Sequence, residues 1–279
     1  MSLILLTNKM SKIMKKLLFI LPIAFLFTSC VFFEMDNYDG PNASITGTLL
    51  DSKTHEPVPT ECKFGNFFGG AYMGAPTTGY FSVYEKGTSE VYGRKLDYEK
   101  AQYWHIKYDG TYVNSQIFSG TYRIESASNN FYPVTKDDVK IVPGENTLDW
   151  EVTPYCRVIN PKVELQGGKF VATFAVEIGD PTKANTIYDA KLLCYPDAFV
   201  GVYCNYCGQD AGATSKNIVA DGKTINTLTI DPANPLNQAE FKYVGKGKEH
   251  FFRIAVCATG NGANTSRFYN YSPTIKIVY

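Results

Sequence analysis

The chain has 279 residues, which exceeds one small domain and suits two domains of ordinary size. Lys and Arg together number 27, as do Asp and Glu, so the formal net charge is zero. This balance argues against a nucleic-acid partner, which usually requires a basic face. Tyr and Phe number 20 and 18, and long helical periodicity is absent after the N-terminal segment. The composition therefore favours an all-β fold.

The N-terminal segment has the pattern of a bacterial lipoprotein signal peptide. Residues 14–30 read MKKLLFILPIAFLFTSC, in which two lysines precede an apolar run that is too short to span a bilayer comfortably. Two small residues stand directly before Cys30. We therefore predict a signal peptide over residues 1–29, with Met14 as an alternative start, and lipidation of Cys30. A plain secretory signal and an uncleaved anchor are the alternatives.

The residues after Cys30 are expected to form a lipidated tether over 30–42. Several acyl chains on one cysteine would hold the protein at a membrane almost permanently, so the membrane is an expected partner. Glu34, Asp36 and Asp39 make the tether acidic, which resembles the surface-export signal of some lipoproteins. We predict an outer-membrane location at the cell surface, although three apolar residues come first and leave the face of the membrane open.

Residues 43–152 are predicted to form a first β-sandwich. Apolar and polar side chains alternate from Ser44 to Leu49, which suits an edge strand, and again from Tyr103 to Tyr108. Asp109-Gly110 and Ser119-Gly120 are turn dipeptides between strands. Trp104 and Trp150 lie on the inward faces of this pattern, so we expect both in a core.

Residues 153–279 are predicted to form a second β-sandwich after a short proline hinge at Pro154. Alternating patterns run through Phe170–Val176 and Phe252–Ala258, and about seven short strands fit in this length. Neither half shows the fixed period of a solenoid.

Several segments together resemble a known family. The segments SITGTLLDSKTHEPV and DGTYVNSQIFSGTYRIES resemble the carboxypeptidase-regulatory, transthyretin-like sandwich. With CVFFEMDNYDGP before them and VTPY after them, they resemble the lipoprotein family called domain of unknown function 3823. The last segment, from His250 onward, resembles the final strands of a fibronectin type III domain. The resemblance implies an accessory protein of a glycan importer, and it carries no catalytic signature.

The sequence shows no recognisable catalytic motif. G-x-S-x-G and H-E-x-x-H are absent, and His55, His105 and His250 are scattered and expected at the surface or partly packed. An acid pair for glycoside cleavage could come from Asp97, Glu99, Asp137 and Asp138. Adjacent Asp137 and Asp138 would point to opposite sides of an extended chain. We therefore expect no catalytic residue and no cofactor.

The sequence does not determine the oxidation state of the remaining six cysteines. They are Cys62, Cys156, Cys194, Cys204, Cys207 and Cys257. Six cysteines allow 15 pairings, and the sequence does not choose among these or between disulfides and free thiols. Cys204 and Cys207 form a C-x-x-C, but no second such motif or His pair accompanies it, so we expect no metal site.

Aromatic residues in loops are the best indication of a binding site. Sugars stack their apolar faces on exposed rings while amides and carboxylates bind the hydroxyls. The segment VYCNYCGQD and the last loop supply the candidate ligand-binding residues, although most such rings are expected to pack within the protein. The candidates are Tyr203, Asn205, Tyr206, Gln209, Asp210, Tyr269 and Tyr271.

The sequence thus predicts a non-catalytic outer-membrane lipoprotein with two tandem β-sandwich domains. Its expected partners are the membrane, a glycan and an outer-membrane importer complex. A structural or adhesive surface protein and a weak carbohydrate-active hydrolase are the alternatives.

Overall fold

The computed structural model describes residues 40–62, 79–86, 101–126, 129–183, 185–207, 210–237, 241, 247–260 and 267–279. Strands form most of the regular structure in these ranges, which confirms the predicted all-β class. No helix within the described ranges is long and apolar enough to cross a bilayer. Cys30, Asp97, Glu99 and Gln209 lie outside the described residues.

The first group of strands forms two sheets. Its members are β1 (Ala43–Asp51), β2 (Tyr80–Glu85), β3 (Gln102–His105), β4 (Thr111–Ile117), β5 (Gly120–Glu125), β6 (Thr135–Ile141), β7 (Gly144–Thr147) and β8 (Trp150–Val152). One sheet has the order β4-β1-β7, with β8 also paired to β1, and the other has the order β3-β2-β5-β6. Their buried faces share one apolar core that includes Trp104 and Trp150, as predicted.

Strand β1 is central in its sheet, so the prediction of an edge strand is wrong. It pairs antiparallel with β4 on one side and parallel with β7 and then β8 on the other. The alternation did identify the buried side chains, including Ile45 and Leu49. Alternation reports only which face of a strand is buried, and it says nothing about how many neighbours the strand has.

The Asp109-Gly110 turn connects the two sheets. The amide of Gly110 donates to the carbonyl of Lys107 at 2.9 Å, and Gly110 has a φ of +86°. Strand β3 before the turn pairs with β2, whereas β4 after it pairs with β1. The turn predicted from the dipeptide is therefore present, but it does not join a regular hairpin.

The second group of strands also forms two sheets. Its members are β9 (Cys156–Gln166), β10 (Lys169–Ile178), β11 (Thr186–Tyr195), β12 (Thr214–Ser215), β13 (Asn226–Ile230), β14 (Glu249–Thr259), β15 (Asn270–Tyr271) and β16 (Ile275–Val278). One sheet has the order β13-β10-β9, and the other has the order β12-β11-β14-β15 with β16 paired to β14. Their facing sides enclose a core that contains Phe170, Phe174, Phe252 and Ile254.

Strand β14 is buried on both faces. Phe252, Ile254 and Val256 point into the core between the two sheets. Ala255, on the opposite face, packs with Leu193, Val200 and Tyr271 in a smaller apolar cluster. A strand that is covered on both sides loses the polar face of an ordinary sandwich strand, and this second cover comes from a loop that also contacts the first group of strands.

Buried polar contacts join the two groups of strands into the compact unit Pro41–Tyr279. Asp51 at the end of β1 accepts two hydrogen bonds from the guanidinium of Arg157 in β9, at 2.6 and 2.7 Å. Both side chains are only 8% exposed. Bidentate geometry of this kind offsets part of the desolvation of two buried charges and fixes their relative orientation.

A pair of asparagines makes a second buried contact at this junction. The side-chain amide of Asn270 donates to the carbonyl of Asn130 at 2.7 Å. The side-chain amide of Asn130 donates in turn to the carbonyls of Pro59 and Tyr269, at 2.8 and 3.1 Å. These bonds connect residues from both groups of strands. Directional hydrogen bonds as well as apolar burial therefore fix how the two groups pack together.

Substituting Gly47 by Ala tests the close approach around β1. A Cβ at this position would lie 2.0 Å from the carbonyl oxygen of Leu148, so we expect a loss of about 3 kcal/mol in the free energy of unfolding. Denaturant unfolding measures it. Gly120→Ala is the control, because a Cβ there meets its nearest atom at an ordinary 3.5 Å. Equal losses for both variants would contradict the packing described for β1.

Substituting Asp51 by Asn tests the buried ion pair. The change removes the nearer counter-charge of buried Arg157 and leaves only the weaker contact with Glu177 at 3.6 Å, so we expect unfolding free energy to fall by about 3 kcal/mol. Lys53→Ala breaks a more exposed ion pair, with Glu177, in the same region and should cost less than about 1 kcal/mol. Denaturant unfolding of D51N, R157M and the double variant should show strong non-additivity. Additive losses would mean that the two side chains do not act as a pair.

Candidate functional site

The Phe199 loop, which we define as residues 196–207, follows β11 and covers the outer face of the sheet that contains β11 and β14. Val200 is fully buried against Leu193 and Ala255 in the small cluster on that face. The backbone returns to the sheet where the amide of Tyr206 donates to the carbonyl of Cys194, at 3.1 Å. The loop is therefore attached to the sheet at its centre and at its end.

Local hydrogen bonds explain the shape of the Phe199 loop. The carboxylate of Asp197 accepts from the amide of Phe199 at 3.1 Å, which forms a turn typical of Asp. Gly201 and Cys204 exchange two backbone hydrogen bonds, at 3.2 and 3.0 Å, across a tight turn. The side-chain amide of Asn205 donates to the carbonyls of Gly201 and Val202. The predicted candidate Asn205 therefore supports the turn.

The buried carboxylate of Glu61 attaches the loop to the first group of strands. It accepts hydrogen bonds from the amide of Val202 at 3.2 Å and from the hydroxyl of Tyr271. It also accepts from the amide of Cys62, at 2.9 Å. Only glycine fits opposite this carboxylate, because a Cβ at Gly201 would lie 1.9 Å from the nearer oxygen.

Arg253 is the positive charge beneath the loop. Its guanidinium donates to the carbonyls of Thr60, Val200 and Ser272, at 3.0 to 3.1 Å. The same group stacks over the ring of Tyr271 at 4.1 Å. Burial lowers the pKa of Arg253 and raises the pKa of the Tyr271 hydroxyl. Carbonyl groups from both groups of strands and from the loop thus converge on one side chain.

We use the name aromatic surface for the contacting rings of Tyr108 and Phe199 together with the exposed ring of Tyr203 on the same loop. Phe199 is 52% exposed and makes an edge contact with half-buried Tyr108, with ring centroids 4.9 Å apart. Tyr203 is 65% exposed, four residues further along the loop. Exposed Asp109 and Asp197 lie beside Tyr108 and Phe199 in sequence. Exposed rings bordered by carboxylates suit the apolar faces and hydroxyls of a sugar.

Tyr206, another predicted candidate, points into the protein. Its hydroxyl forms a 2.6 Å hydrogen bond with Nδ1 of His250, which is fully buried, contrary to the expectation for this histidine. The thiol of Cys194 donates to the same hydroxyl at 3.5 Å. Burial raises the pKa of Cys194, but hydrogen bonds with Cys207, His250 and Tyr206 outweigh this effect and hold it at about 7.

Asp210 is also buried and has a structural environment. Its carboxylate accepts from the amides of Gly212 and Asp231 and from the side chain of Asn237, at 2.9, 3.2 and 2.6 Å. It therefore caps the short 3₁₀ helix Ala211–Ala213 and connects it to the segment after β13. These contacts leave Asp210 outside any exposed surface.

The last two predicted candidates, Tyr269 and Tyr271, lie on the protein side of the Phe199 loop. Tyr271 is buried between Glu61 and Arg253. Tyr269 is half-buried, and Lys191 lies over its ring at 5.3 Å. Burial and a hydrogen bond with Asp189 raise the pKa of Tyr269. Of the predicted set, Tyr203 alone is strongly exposed among the described residues.

Sequence reasoning missed Tyr108, Phe199 and Glu61. The alternation from Tyr103 to Tyr108 puts Tyr108 on the same face as Trp104, but β3 ends at His105 and the tyrosine lies in the turn. The turn-forming segment Tyr195-Pro196-Asp197 before Phe199 was a usable signal for an exposed loop aromatic. No local pattern indicates that Glu61 accepts bonds from residues far along the chain.

The remaining sequence candidates do not assemble around this site. Asp137 and Asp138 are exposed and form ion pairs with different residues, Arg123 at 3.5 Å and Lys86 at 2.6 Å. They therefore point apart, as predicted. Within the described ranges, no group of three or more His, Cys, Asp or Glu side chains could hold a metal ion.

A cleft of about 410 Å³ lies at the junction of the two groups of strands. Its walls include several prolines together with Asp51, Arg157 and Asn270. The polar groups on these walls already bind one another or the backbone, as Asp51 and Arg157 do. The cleft therefore offers fewer available groups than the exposed aromatic surface.

The sheets place the chain among all-β proteins built from sandwich-type layers, and a known family model matches its first group of strands. Residues 43–153 match the family described as "Protein of unknown function (DUF3823) N-terminal domain". This match over the first group of strands confirms the resemblance that the sequence predicted. No curated protein matches the chain.

Solved structures from Bacteroides uniformis and Parabacteroides merdae have the same fold. One, from Bacteroides uniformis and described as a "putative carbohydrate binding protein", is 29% identical, with coverage of 86% of this chain and 100% of that chain and a TM-score of 0.69. A DUF3823 family protein from Parabacteroides merdae is 19% identical over 86% of this chain and 100% of that chain, with a TM-score of 0.61. The second similarity shows the fold alone.

Substituting Tyr271 by Phe tests whether Glu61 holds the Phe199 loop. The change removes a donor from a buried carboxylate, so we expect unfolding free energy to fall by about 2 kcal/mol and the Val202 amide to exchange hydrogen faster. Denaturant unfolding and amide exchange measure these effects. Tyr103→Phe, whose ring contacts Tyr80 away from the loop, is the control. Unchanged exchange at Val202 would show that the loop does not depend on this bond.

Proposed function

We propose that this protein is a non-catalytic, lipid-anchored outer-membrane protein that binds a glycan at its aromatic surface and assists polysaccharide uptake. The observation that carries the proposal is the exposure of Phe199 and Tyr203 on a loop that buried contacts hold in place. A rigid loop presents its rings without a large loss of conformational entropy on binding.

The chemistry of the surface supports a sugar ligand. The rings of Phe199 and Tyr108 meet edge to face, so they form a bent apolar platform. Sugars present C–H groups on one face and hydroxyls around the rim, and the neighbouring carboxylates of Asp109 and Asp197 can accept bonds from hydroxyls. The description of the 29% identical protein from Bacteroides uniformis agrees with this ligand class.

The proposed location comes from the N-terminal sequence. The apolar run before Cys30 and the acidic residues after it have the pattern of an exported lipoprotein. A lipid anchor and a tether of about a dozen residues would keep the two groups of strands close to the outer-membrane surface. A glycan held there would be within reach of an outer-membrane importer, which we propose as the protein partner.

Calorimetric titration of the unit Pro41–Tyr279 with a panel of polysaccharides tests glycan binding. We expect at least one glycan to bind, and Phe199→Ala and Tyr203→Ala each to weaken binding by about tenfold, because each removes one stacking surface. Reducing sugars should not accumulate during incubation with the same glycan.

Phe118→Ala is the matched control, because Phe118 is also exposed but lies beyond the opposite end of β4 from Tyr108. This variant should bind like the parent protein. Glycan binding that is equally strong in all variants would move the site elsewhere on the molecule. Failure of every glycan to bind would contradict capture and favour the adhesive alternative, and release of reducing sugars would favour a hydrolase.

A further inference from the structure

The two cysteines of the C-x-x-C motif face different partners. Cys207 lies within hydrogen-bond reach of Cys194 in the core of the second group of strands. Cys204 lies within hydrogen-bond reach of Cys62, which comes from the first group. The motif therefore does not present its two sulfurs to one common ligand, and each sulfur instead has a thiol neighbour that is distant in sequence.

Backbone geometry brings Cys62 and Cys204 together independently of their titration. Gly201 and Cys204 are directly opposite each other in a tight turn and exchange both backbone hydrogen bonds. Residues paired in this way have their side chains on the same face, with Cα atoms about 5.5 Å apart. A Cβ at Gly201 would lie 2.5 Å from Sγ of Cys62. The sulfur of Cys62 thus occupies the space of the missing Gly201 side chain, beside Cys204.

The surroundings hold this arrangement in place. The amide of Cys62 and its thiol both donate to the carboxylate of Glu61, at 2.9 and 3.2 Å. The same carboxylate accepts from Val202, inside the turn that contains Cys204. Cys62 is buried, whereas Cys204 is half-buried and so can be reached from solvent.

We propose that Cys62 and Cys204 form a disulfide that covalently joins the two groups of strands behind the aromatic surface. The bond would connect the first group directly to the Phe199 loop, where Glu61 already makes a non-covalent connection. Neither glycan binding nor lipidation is required for this bond, so it can be tested apart from the proposed function.

The oxidation requires an external disulfide, either of a protein or of glutathione. The thiolate of accessible Cys204 attacks one sulfur of that disulfide, which forms a mixed disulfide and expels one thiolate. The thiolate of Cys62 then attacks the Cys204 sulfur and expels the second thiolate. The protein loses two protons and two electrons, and the external disulfide is reduced to two thiols. Burial and the charge of Glu61 raise the pKa of Cys62, so the second step should accelerate with rising pH.

Peptide mapping of the full chain, purified in detergent and equilibrated with oxidised and reduced glutathione, tests the pairing. Free thiols are alkylated before digestion, and no reductant is added. We expect a cross-linked peptide that contains Cys62 and Cys204 and has lost two hydrogen atoms. Alkylation of both residues, or linkage of either one to another cysteine, would overturn the proposal.

Thermal unfolding provides a second readout. The link closes a long loop across the junction, so reduction should lower the Tm of the parent chain by on the order of 10 °C. Cys204→Ala alters a half-buried position and should remove most of this reductant-dependent difference. Cys257→Ala removes a buried thiol elsewhere and should retain it. A reductant-dependent difference of equal size in Cys204→Ala and the parent chain would rule out the link.

Discussion

The position of the aromatic surface depends on the buried carboxylate of Glu61. A charge removed from water is tolerated only when donors surround it, and here these donors come from the Phe199 loop, from Tyr271 and from the segment of Glu61 itself. The requirement to satisfy one carboxylate therefore determines where Val202, and with it the exposed rings of the loop, can lie. Arg253 strengthens this constraint, since its guanidinium binds carbonyls from the same three regions.

The wider junction shows why a binding surface can lie across two groups of strands. Asp51 and Arg157 bind each other with two hydrogen bonds, and Asn130 and Asn270 add directional bonds nearby. Apolar contact alone would allow the two groups to slide, because the hydrophobic effect has little directional preference. Buried polar pairs allow only a few relative positions, since any shift would leave a charge or an amide unsatisfied. Tyr108 and Phe199 can therefore act as one surface although they belong to different groups.

Some features of the structure depend on residues close together in the chain, and others depend on residues that are far apart in it. The inward positions of Trp104, Trp150 and Phe170 were predictable because burial alternates along a strand with a period of two. The exposure of Tyr203 agrees with the sequence-based choice of this residue as an aromatic in a loop segment. By contrast, Tyr206, Asp210 and Tyr271 are typical sugar-binding residue types in the right segments, yet each one forms hydrogen bonds inside the protein. Residue type and loop position do not distinguish these two uses of a polar aromatic or carboxylate side chain.

The order of residues in the chain was sufficient for the all-β class, the turn at Asp109-Gly110 and the resemblance to the DUF3823 family, because these follow from local conformational preference and short patterns. The partners of β1, the burial of Glu61 and the proximity of Cys62 to Cys204 required the folded molecule. Each of these joins segments that are far apart in the chain, and such contacts arise from closing sheets and satisfying buried charges together. No short window of sequence contains both members of such a pair, so these contacts can be identified only in the folded molecule.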